Sequence, residues 1–362
     1  MKYPLVITVA CEKGGVGKTT IATNLAVYIK AIRENMTVTM FSFDNHFTTD
    51  KMFLLNKGRT EGNVRDLLYG QTLQELAQLG EYGVNFVPSS RNLSSIGNRY
   101  DILSKKLAMS NMDGVVIIDT GPTMDFFTKS ALMASDVVLI PIKDIPSLDN
   151  IKSITDFLKE SKRDTQIVKL IPSIIDGRVK FKDNNASMDG FLRSVAHERG
   201  YKLFKTSIPK SPKVEALTTS SSFKVYSILT HARGTLAHKR FVSLVKEVLS
   251  VLDEIKEPMS LALLKTPQTA GRQQSVKKKT EFKKNLPHNE SFSYLKGDTD
   301  NSNFIKKKDH PKKTPSSIAN NRRKKPNPLP DQKKPPIKNN DTEPTNYLWK
   351  LSRNLKQIFR MS

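Results

Sequence analysis

The sequence predicts an α/β protein built on a doubly wound, mostly parallel sheet. First, short runs rich in Val and Ile alternate with segments of helical periodicity. Second, these runs are apolar on both faces, which is typical of strands covered by helices on both sides. Third, the net charge of +24 is concentrated near the C-terminal end, so the α/β pattern and the basic region are separate parts of the chain.

The alternating pattern defines one folded domain, expected over residues 1–257. Seven strands are predicted, at residues 4–10, 38–43, 84–88, 114–119, 136–141, 166–172 and 202–207. Helices are predicted at residues 18–33, 63–79, 100–109, 126–134, 148–160 and 186–199. A long last helix at residues 235–255 closes the domain. Such alternation of strands and helices implies a doubly wound sheet.

The composition changes after this domain. From residue 259 onward there are 24 Lys and Arg against 8 Asp and Glu, a net of +16 and two thirds of the total. Apolar periodicity disappears, so residues 258–343 cannot bury enough apolar surface to offset chain entropy and are predicted to be disordered. Residues 344–362 differ again: Leu348, Leu351, Leu355, Ile358 and Phe359 share one helical face among basic residues. This pattern predicts a basic amphipathic helix.

Composition also excludes several classes of site. A single cysteine cannot form an internal disulfide or a thiolate metal cluster within one chain. There is no run of about 18 apolar residues that could span a membrane, and the first residues lack the features of a signal peptide. We therefore expect a cytoplasmic protein. The basic excess favours a polyanionic partner, either nucleic acid or an anionic membrane surface.

The strongest motif is KGGVGKTT at residues 13–20, between a predicted strand and a predicted helix. Its glycines let successive backbone N–H groups approach phosphate oxygens, and the helix N-terminus adds positive charge. These features predict a phosphate loop for ATP with Mg²⁺. The residues assigned to nucleotide binding are Gly14, Gly15, Val16, Gly17, Lys18, Thr19 and Thr20. Lys18 is expected to reach the β- and γ-phosphates, Thr19 the Mg²⁺ ion and Thr20 the α-phosphate.

Two acids follow strands that are predicted to end at the same edge of the sheet. The run VVIID at residues 115–119 is an apolar strand that ends in Asp119, the pattern of an acid that holds Mg²⁺, through water. The second predicted strand leads into Ser42-Phe43-Asp44. These positions make Asp119 a candidate metal residue and Asp44 a candidate hydrolytic residue, with Asp50 as a weaker alternative.

Together these motifs resemble the ParA/MinD family of partitioning and positioning ATPases, over residues of about 3–256. The extra lysine that opens the loop, Lys13, is the feature of the family's deviant phosphate loop. The resemblance implies a P-loop NTPase fold and an ATP-dependent homodimer in which Lys13 reaches the partner's phosphates. It implies that Asp44 positions attacking water, although Ser42 replaces the first acid of the usual pair. Iron–sulfur reductases share the loop but need cluster cysteines that this chain lacks.

Later segments give weaker landmarks. Residues 170–180 and 207–217 resemble family segments at strand ends that contact the base, which makes Ser173 and Pro209 candidate nucleotide residues. The family's adenine-binding asparagine has no clear match.

Two functions remain open from the sequence. The first is a ParA-like ATPase, nucleoid-associated, that binds DNA without sequence preference and is stimulated by a centromere-binding or cargo-adaptor protein. Its candidate DNA-binding residues lie in the C-terminal half of the domain: Arg193, Arg199, Lys202, Lys210, Lys213, Lys224, Lys239 and Arg240. The second is a MinD-like ATPase that cycles on an anionic membrane through the amphipathic helix within residues 345–362. The landmarks resemble ParA more than MinD, so DNA is favoured.

Overall fold

The computed structural model describes residues 2–55, 62–94, 97–180, 187–219, 224–259 and 261. The strands are β1 (Leu5–Val9), β2 (Val38–Phe43), β3 (Gln78–Leu79), β4 (Asn85–Val87), β5 (Val115–Thr120), β6 (Val137–Ile142) and β7 (Val168–Pro172). They form one sheet in the order β3-β4-β2-β5-β1-β6-β7. All pairs are parallel except β3 with β4. The predicted doubly wound, mostly parallel fold is confirmed.

Helices cover both faces of this sheet. They are α1 (Lys18–Ile32), α2 (Thr48–Phe53), α3 (Val64–Tyr69), α4 (Leu73–Leu76), α5 (Ile102–Met109) and α6 (Phe126–Ala134), followed by α7 (Ile145–Asp149), α8 (Ile151–Glu160), α9 (Met188–Glu198), α10 (Pro212–Thr219), α11 (Ile228–His231) and α12 (Leu236–Glu254). The interior between the sheet and α1 with α12 is one apolar cluster, and β-strand residues that point the other way pack on α5 and α6.

The alternation of side chains along each strand explains this two-sided core. In β1, Ile7 and Val9 belong to the cluster under α1 and α12, whereas Val6 belongs to the cluster on the opposite face. Every residue of β2, β5 and β6 is buried, as the absence of polar alternation in these runs predicts. Within the core, the Tyr28 hydroxyl on α1 lies 2.7 Å from Nδ1 of His238 on α12. This buried polar contact fixes the register between the two helices.

Two predicted elements are corrected by the structure. The helix predicted at residues 63–79 is two helices, because Thr72 starts a new one: its hydroxyl accepts from the Glu75 amide, and the Glu75 carboxylate accepts from the Thr72 amide. The short edge strand β3 then takes its last residues. Helices α2, α7, α10 and α11 were absent from the sequence prediction.

The strand predicted at residues 202–207 is also wrong. This segment runs parallel to β7, and the Leu170 and Phe204 amides donate across the gap to Lys202 and Leu170 carbonyls at 2.8 and 2.9 Å. The pairing is then interrupted, because the Glu247 carboxylate on α12 accepts the amides of Lys205 and Thr206 at 2.6 and 2.9 Å, and it resumes only where the Ile208 amide donates to the Pro172 carbonyl at 2.8 Å. A side chain more than 40 residues away therefore captures the donors that a continuous strand would use.

Candidate nucleotide site

The phosphate loop connects the central strand β1 to the N-terminus of α1. Gly15 and Gly17 have φ angles of 67° and 91°, which a residue with a Cβ atom adopts only with strain. Gly17 is the N-cap of α1, and no side-chain hydrogen bond caps the helix there among the described residues. The amides of the first turn therefore stay available for an anion, and their positive end faces the loop.

Lys18 is held beneath this loop. Its side chain is buried, and its Nζ donates to the Lys13 carbonyl oxygen at 3.2 Å. Burial lowers the pKa of Lys18, while the nearby carboxylates of Asp119 and Asp44 oppose that shift. The fold therefore brings Lys18, Asp44 and Asp119, from three different segments, into one electrostatic group.

Asp119 stands at the C-terminal end of β5, next to Ser42 of β2 and Val9 of β1. It is fully buried, and the Ser42 hydroxyl donates to its Oδ2 at 3.3 Å. Its Oδ1 is buried and has no hydrogen-bond partner among the described residues. Burial raises the pKa of Asp119 to about 7, and the neighbouring Thr19 hydroxyl and Lys18 ammonium oppose this shift.

These features fit a divalent cation. A buried carboxylate oxygen without a donor needs a positive partner, and carboxylate and hydroxyl oxygens are ligands that Mg²⁺ prefers. Asp119 and Thr19 are therefore the residues that would hold Mg²⁺ beside the phosphate loop. The described part of the chain contains no cluster of three or more His, Cys, Asp and Glu that could bind a metal without the nucleotide.

Asp44 follows β2 at the same edge of the sheet. Its side chain is only 15% exposed, and its Oδ1 accepts the His46 amide at 3.1 Å. The Ser89 hydroxyl donates to the Asp44 carbonyl at 2.8 Å and fastens the turn to the strand end of β4. The carboxylate is thus placed close to Asp119 and Lys18 by a turn that is held at both sides.

The alternative residue, Asp50, has a different position. It lies on α2, where its Oδ1 accepts the Ser89 amide at 3.0 Å, and burial raises its pKa. Asp44, by contrast, is a carboxylate whose charge acts on both Lys18 and Asp119. The geometry therefore favours Asp44 over Asp50 as the group facing the phosphates.

Lys13 is held within its own chain. Its Nζ lies 2.5 Å from Oδ2 of Asp144, whose Oδ1 accepts the Ser147 amide and caps α7. Two further contacts join the loop region to residues on either side of α7. Lys143 Nζ donates to the Gly15 carbonyl at 3.1 Å, and the Ser153 hydroxyl on α8 donates to the Glu12 carboxylate. The sequence analysis missed these residues. The pattern Asp-x-x-Ser at residues 144–147 is a capping signal that could have located α7.

Ser173 and Pro209 lie together in the structure. With Gly17 and Thr20 they line a pocket of about 100 Å³ beside the first turn of α1. A Cβ atom at Gly17 would lie 3.1 Å from the Ser173 hydroxyl, so the close approach requires glycine at that position. The two candidates that were chosen from strand ends thus share one pocket with the phosphate loop.

The eight candidate DNA-binding residues fall into two groups. Three are engaged with acids of their own chain: Arg193 with Asp189 at 2.9 Å, Arg199 with Asp149 at 2.8 Å, and Lys224 with Glu81. Arg193 also donates to the carbonyls of Phe204 and Lys205, so its guanidinium mainly fixes the fold. The other five are exposed and form no ion pair among the described residues: Lys202, Lys210, Lys213, Lys239 and Arg240.

The predicted tail, residues 258–343, and the amphipathic helix, residues 344–362, lie almost wholly outside the described residues. Of the tail, only residues 258, 259 and 261 are described. The Met259 amide donates to Asp136 Oδ1 at 2.6 Å, and Val6 donates to the other oxygen of the same carboxylate. Within the described residues, none of the helices is both long enough and apolar enough to cross a bilayer.

Comparison with known proteins agrees with this geometry. The model of a family described as an AAA domain, AAA_31, matches residues 5–169, which contain the phosphate loop, Asp44 and Asp119. The chromosome-partitioning ATPase Soj of Thermus thermophilus is 25% identical over 258 residues, covering 68% of this chain and 96% of Soj.

Two solved structures show the same fold. An ATP complex of McdA from Cyanothece superposes with a TM-score of 0.56 at 19% identity, over 69% of this chain and 98% of McdA. Cobyrinic acid a,c-diamide synthase from Mycobacterium smegmatis, with bound ADP and magnesium, gives 0.53 at 17% identity, over 69% and 96%. Because one of these proteins is named as a biosynthetic enzyme, the fold by itself does not decide the function.

Proposed function

We propose that the chain is a P-loop ATPase of the ParA/MinD type, and specifically a partitioning ATPase that dimerises with ATP, binds DNA without sequence preference and positions a cargo. This proposal is supported by the AAA_31 match over residues 5–169 and by the similarity to Soj. The observation that supports this most directly is the convergence of Lys18, Asp119 and Asp44 beside the loop that Lys13 opens. These are the residues that the resemblance assigns to nucleotide binding and hydrolysis.

Each residue has a distinct role in the proposed hydrolysis. Lys18 neutralises the β- and γ-phosphate oxygens, and the amides at Gly15 and Gly17 donate to them. Asp119 and Thr19 hold Mg²⁺, which neutralises further phosphate charge when it is bound. Asp44 accepts a hydrogen bond from the attacking water and so orients it, and its turn is fixed by His46 and Ser89. The rate without a partner protein is expected to be slow.

Dimerisation is the step that would use Lys13. In the single chain its ammonium is neutralised by Asp144. To reach the partner's phosphates, as the resemblance implies, it must leave this carboxylate. ATP supplies the compensating negative charge, which makes the dimer depend on the nucleotide.

DNA would be bound by the five exposed basic residues together with the tail. The net +16 beyond residue 258 adds affinity by releasing counterions from DNA, without reading sequence. A stimulating partner, such as a centromere-binding or cargo-adaptor protein, would end the bound state by accelerating hydrolysis.

Sedimentation with plasmid DNA and, separately, with anionic liposomes tests this proposal. The protein should pellet with DNA in ATP and Mg²⁺ but much less in ADP. The charge reversals Lys210→Glu and Arg240→Glu should weaken DNA retention, whereas the matched control Lys256→Glu, beyond the other end of α12, should not. Pelleting with liposomes instead of DNA would refute the DNA proposal and support the membrane-cycling alternative through residues 345–362.

A further inference from the structure

Ile174 has an unusual backbone conformation. Its φ angle is 55°, in the left-handed region that β-branched residues avoid because the side chain crowds the backbone. It immediately follows β7 and Ser173 of the nucleotide pocket. Strain of this kind persists only where the surrounding contacts enforce it, and it is concentrated at sites that switch or bind ligands.

Backbone hydrogen bonds on both sides enforce this conformation. The Ser173 amide donates to the Ile142 carbonyl at 2.7 Å, which fixes the turn to the neighbouring strand. The Ile175 amide donates to the Ile208 carbonyl at 3.1 Å, and the Lys210 amide donates to the Ile175 carbonyl at 2.9 Å. The turn of residues 173–176 and the segment of residues 208–210 therefore move as one unit.

Two cavities lie on either side of this unit. The first is the nucleotide pocket of about 100 Å³, which Ser173 and Ile174 line. The second is an open groove of about 590 Å³, which Ile175 and Asp176 line. Pro209 and Lys210 contribute to both walls. A change in the turn therefore alters both cavities at once.

The groove has the charge of an anion site. Lys205, Lys210 and Arg240 line it, all are exposed, and none forms an ion pair among the described residues. Its two acids are already neutralised: Asp176 pairs with Arg178 at 2.6 Å, and Asp189 with Arg193. Lys210 also lies near Asp176, but that carboxylate is already paired with Arg178, so the groove keeps a net positive charge that favours phosphate groups of a polyanion.

The side chain of Ile174 lies beside Gly17 of the phosphate loop. Its Cδ1 and Cγ1 atoms would lie 3.5 and 3.7 Å from a Cβ atom at Gly17. A nucleotide that fills the pocket beside Gly17 and Thr20 must press on this side chain. Relief of the strained φ angle would then shift Ile175 and, through its carbonyl, Lys210 in the groove.

We propose that the strained turn of residues 173–176 couples nucleotide binding to the basic groove within one subunit, so that the bound nucleotide sets the spacing of Lys205, Lys210 and Arg240. That the groove's ligand is DNA rests on the proposed function; the coupling itself does not. The coupling acts within the monomer, before dimerisation, and adds to the effect of dimerisation on DNA binding.

A fluorescent label in the groove tests the coupling without DNA. Leu236 lines the groove and is 56% exposed, so Leu236→Cys in a Cys11→Ala background takes an environment-sensitive dye. Titration with Mg²⁺ and ADP or ATP should shift its emission with the midpoint of nucleotide binding. The amplitude should not depend on protein concentration, which excludes dimerisation as the cause. The same dye at Met109→Cys, an exposed site on α5, should not respond.

Ile174→Gly removes both the strain and the side chain that contacts the loop, and Ile174→Asn keeps a side chain that tolerates a positive φ angle. Nucleotide affinity is measured separately for each variant, and at saturating nucleotide both variants should lose the emission shift. A shift that survives in both variants, or its absence in the parent, would overturn the coupling. Duplex DNA is added in a separate experiment. Failure of DNA to bind would overturn the proposed function but would leave the result on the coupling unchanged.

Discussion

The ion pair between Lys13 and Asp144 should oppose ATP-dependent dimerisation, and Asp144→Asn should therefore tighten the dimer. The pair joins the two side chains at 2.5 Å within one subunit. The proposed dimer needs Lys13 at the partner's phosphates, so each subunit must break its pair. Asparagine removes the charge but keeps an oxygen that can accept the Ser147 amide, so the cap of α7 is preserved.

The structure sets the size of the effect. The two side chains are 26% and 31% exposed, so solvent screens the pair and its strength is about 0.5–1 kcal/mol. A symmetric dimer breaks two such pairs, which gives about 1–2 kcal/mol in total. The dimer dissociation constant in a non-hydrolysable ATP analogue should fall by roughly 5- to 30-fold.

Analytical ultracentrifugation of the variant, the parent and a matched control measures this constant. The control is Asp149→Asn. Asp149 is the last residue of α7, the helix that Asp144 caps, and its substitution breaks an ion pair with Arg199 that is not part of the loop contacts. Lys13→Ala should abolish the dimer, and Asp144→Asn should not rescue it. An unchanged constant for Asp144→Asn would show that Lys13 stays on Asp144 in the dimer, and a weaker dimer would show that Asp144 belongs to the interface.

Three further predictions concern turnover, stability and the tail. Asp44→Ala should reduce ATP hydrolysis while ATP-dependent dimers and DNA binding persist, because other residues hold ATP and Mg²⁺. Unchanged turnover in a phosphate-release assay would exclude Asp44 as the hydrolytic residue. Burial lowers the pKa of His238 below its unfolded value of 6.5, so the folded state binds fewer protons and stability should fall as pH decreases through that value. The free energy of unfolding, from urea titrations at pH 7.5 and 5.5, should therefore drop more for the parent than for His238→Gln, and the difference should be less than about 1.4 kcal/mol per pH unit. Truncation after Pro258 should preserve unstimulated ATP turnover but weaken DNA binding and flatten the salt dependence of that binding. Truncation after Glu343 should change DNA binding little. Loss of DNA binding in this second truncation would assign the binding to the terminal segment.

Sequence reasoning found the core of the site because that part is local. Gly15 and Gly17 mark positions where the backbone needs positive φ angles, and the preceding apolar run and following helix fix the loop between them. Asp44 and Asp119 were found because parallel strands end at one edge of a sheet, which brings residues at strand ends together whatever their separation in sequence.

The sequence failed where a side chain from a distant segment decides the outcome. Glu247 takes the amides of Lys205 and Thr206 and prevents a strand that local propensity favours. Arg193 has the appearance of a surface cation, but its guanidinium is used by Asp189 and by two carbonyls of the 204–205 segment. Such partners are set by packing, and no local pattern encodes them.

By itself, then, the sequence determined the α/β architecture and predicted the phosphate loop and the candidate residues Lys18, Thr19, Asp44 and Asp119, since these depend on short-range periodicity and backbone freedom. Only the tertiary structure decided where Lys13 rests, which basic residues remain unpaired, and that Ile174 joins the nucleotide pocket to the basic groove. The physical reason is that ion pairs and strained turns are fixed by groups from distant segments, which meet only when the sheet and its helices have packed.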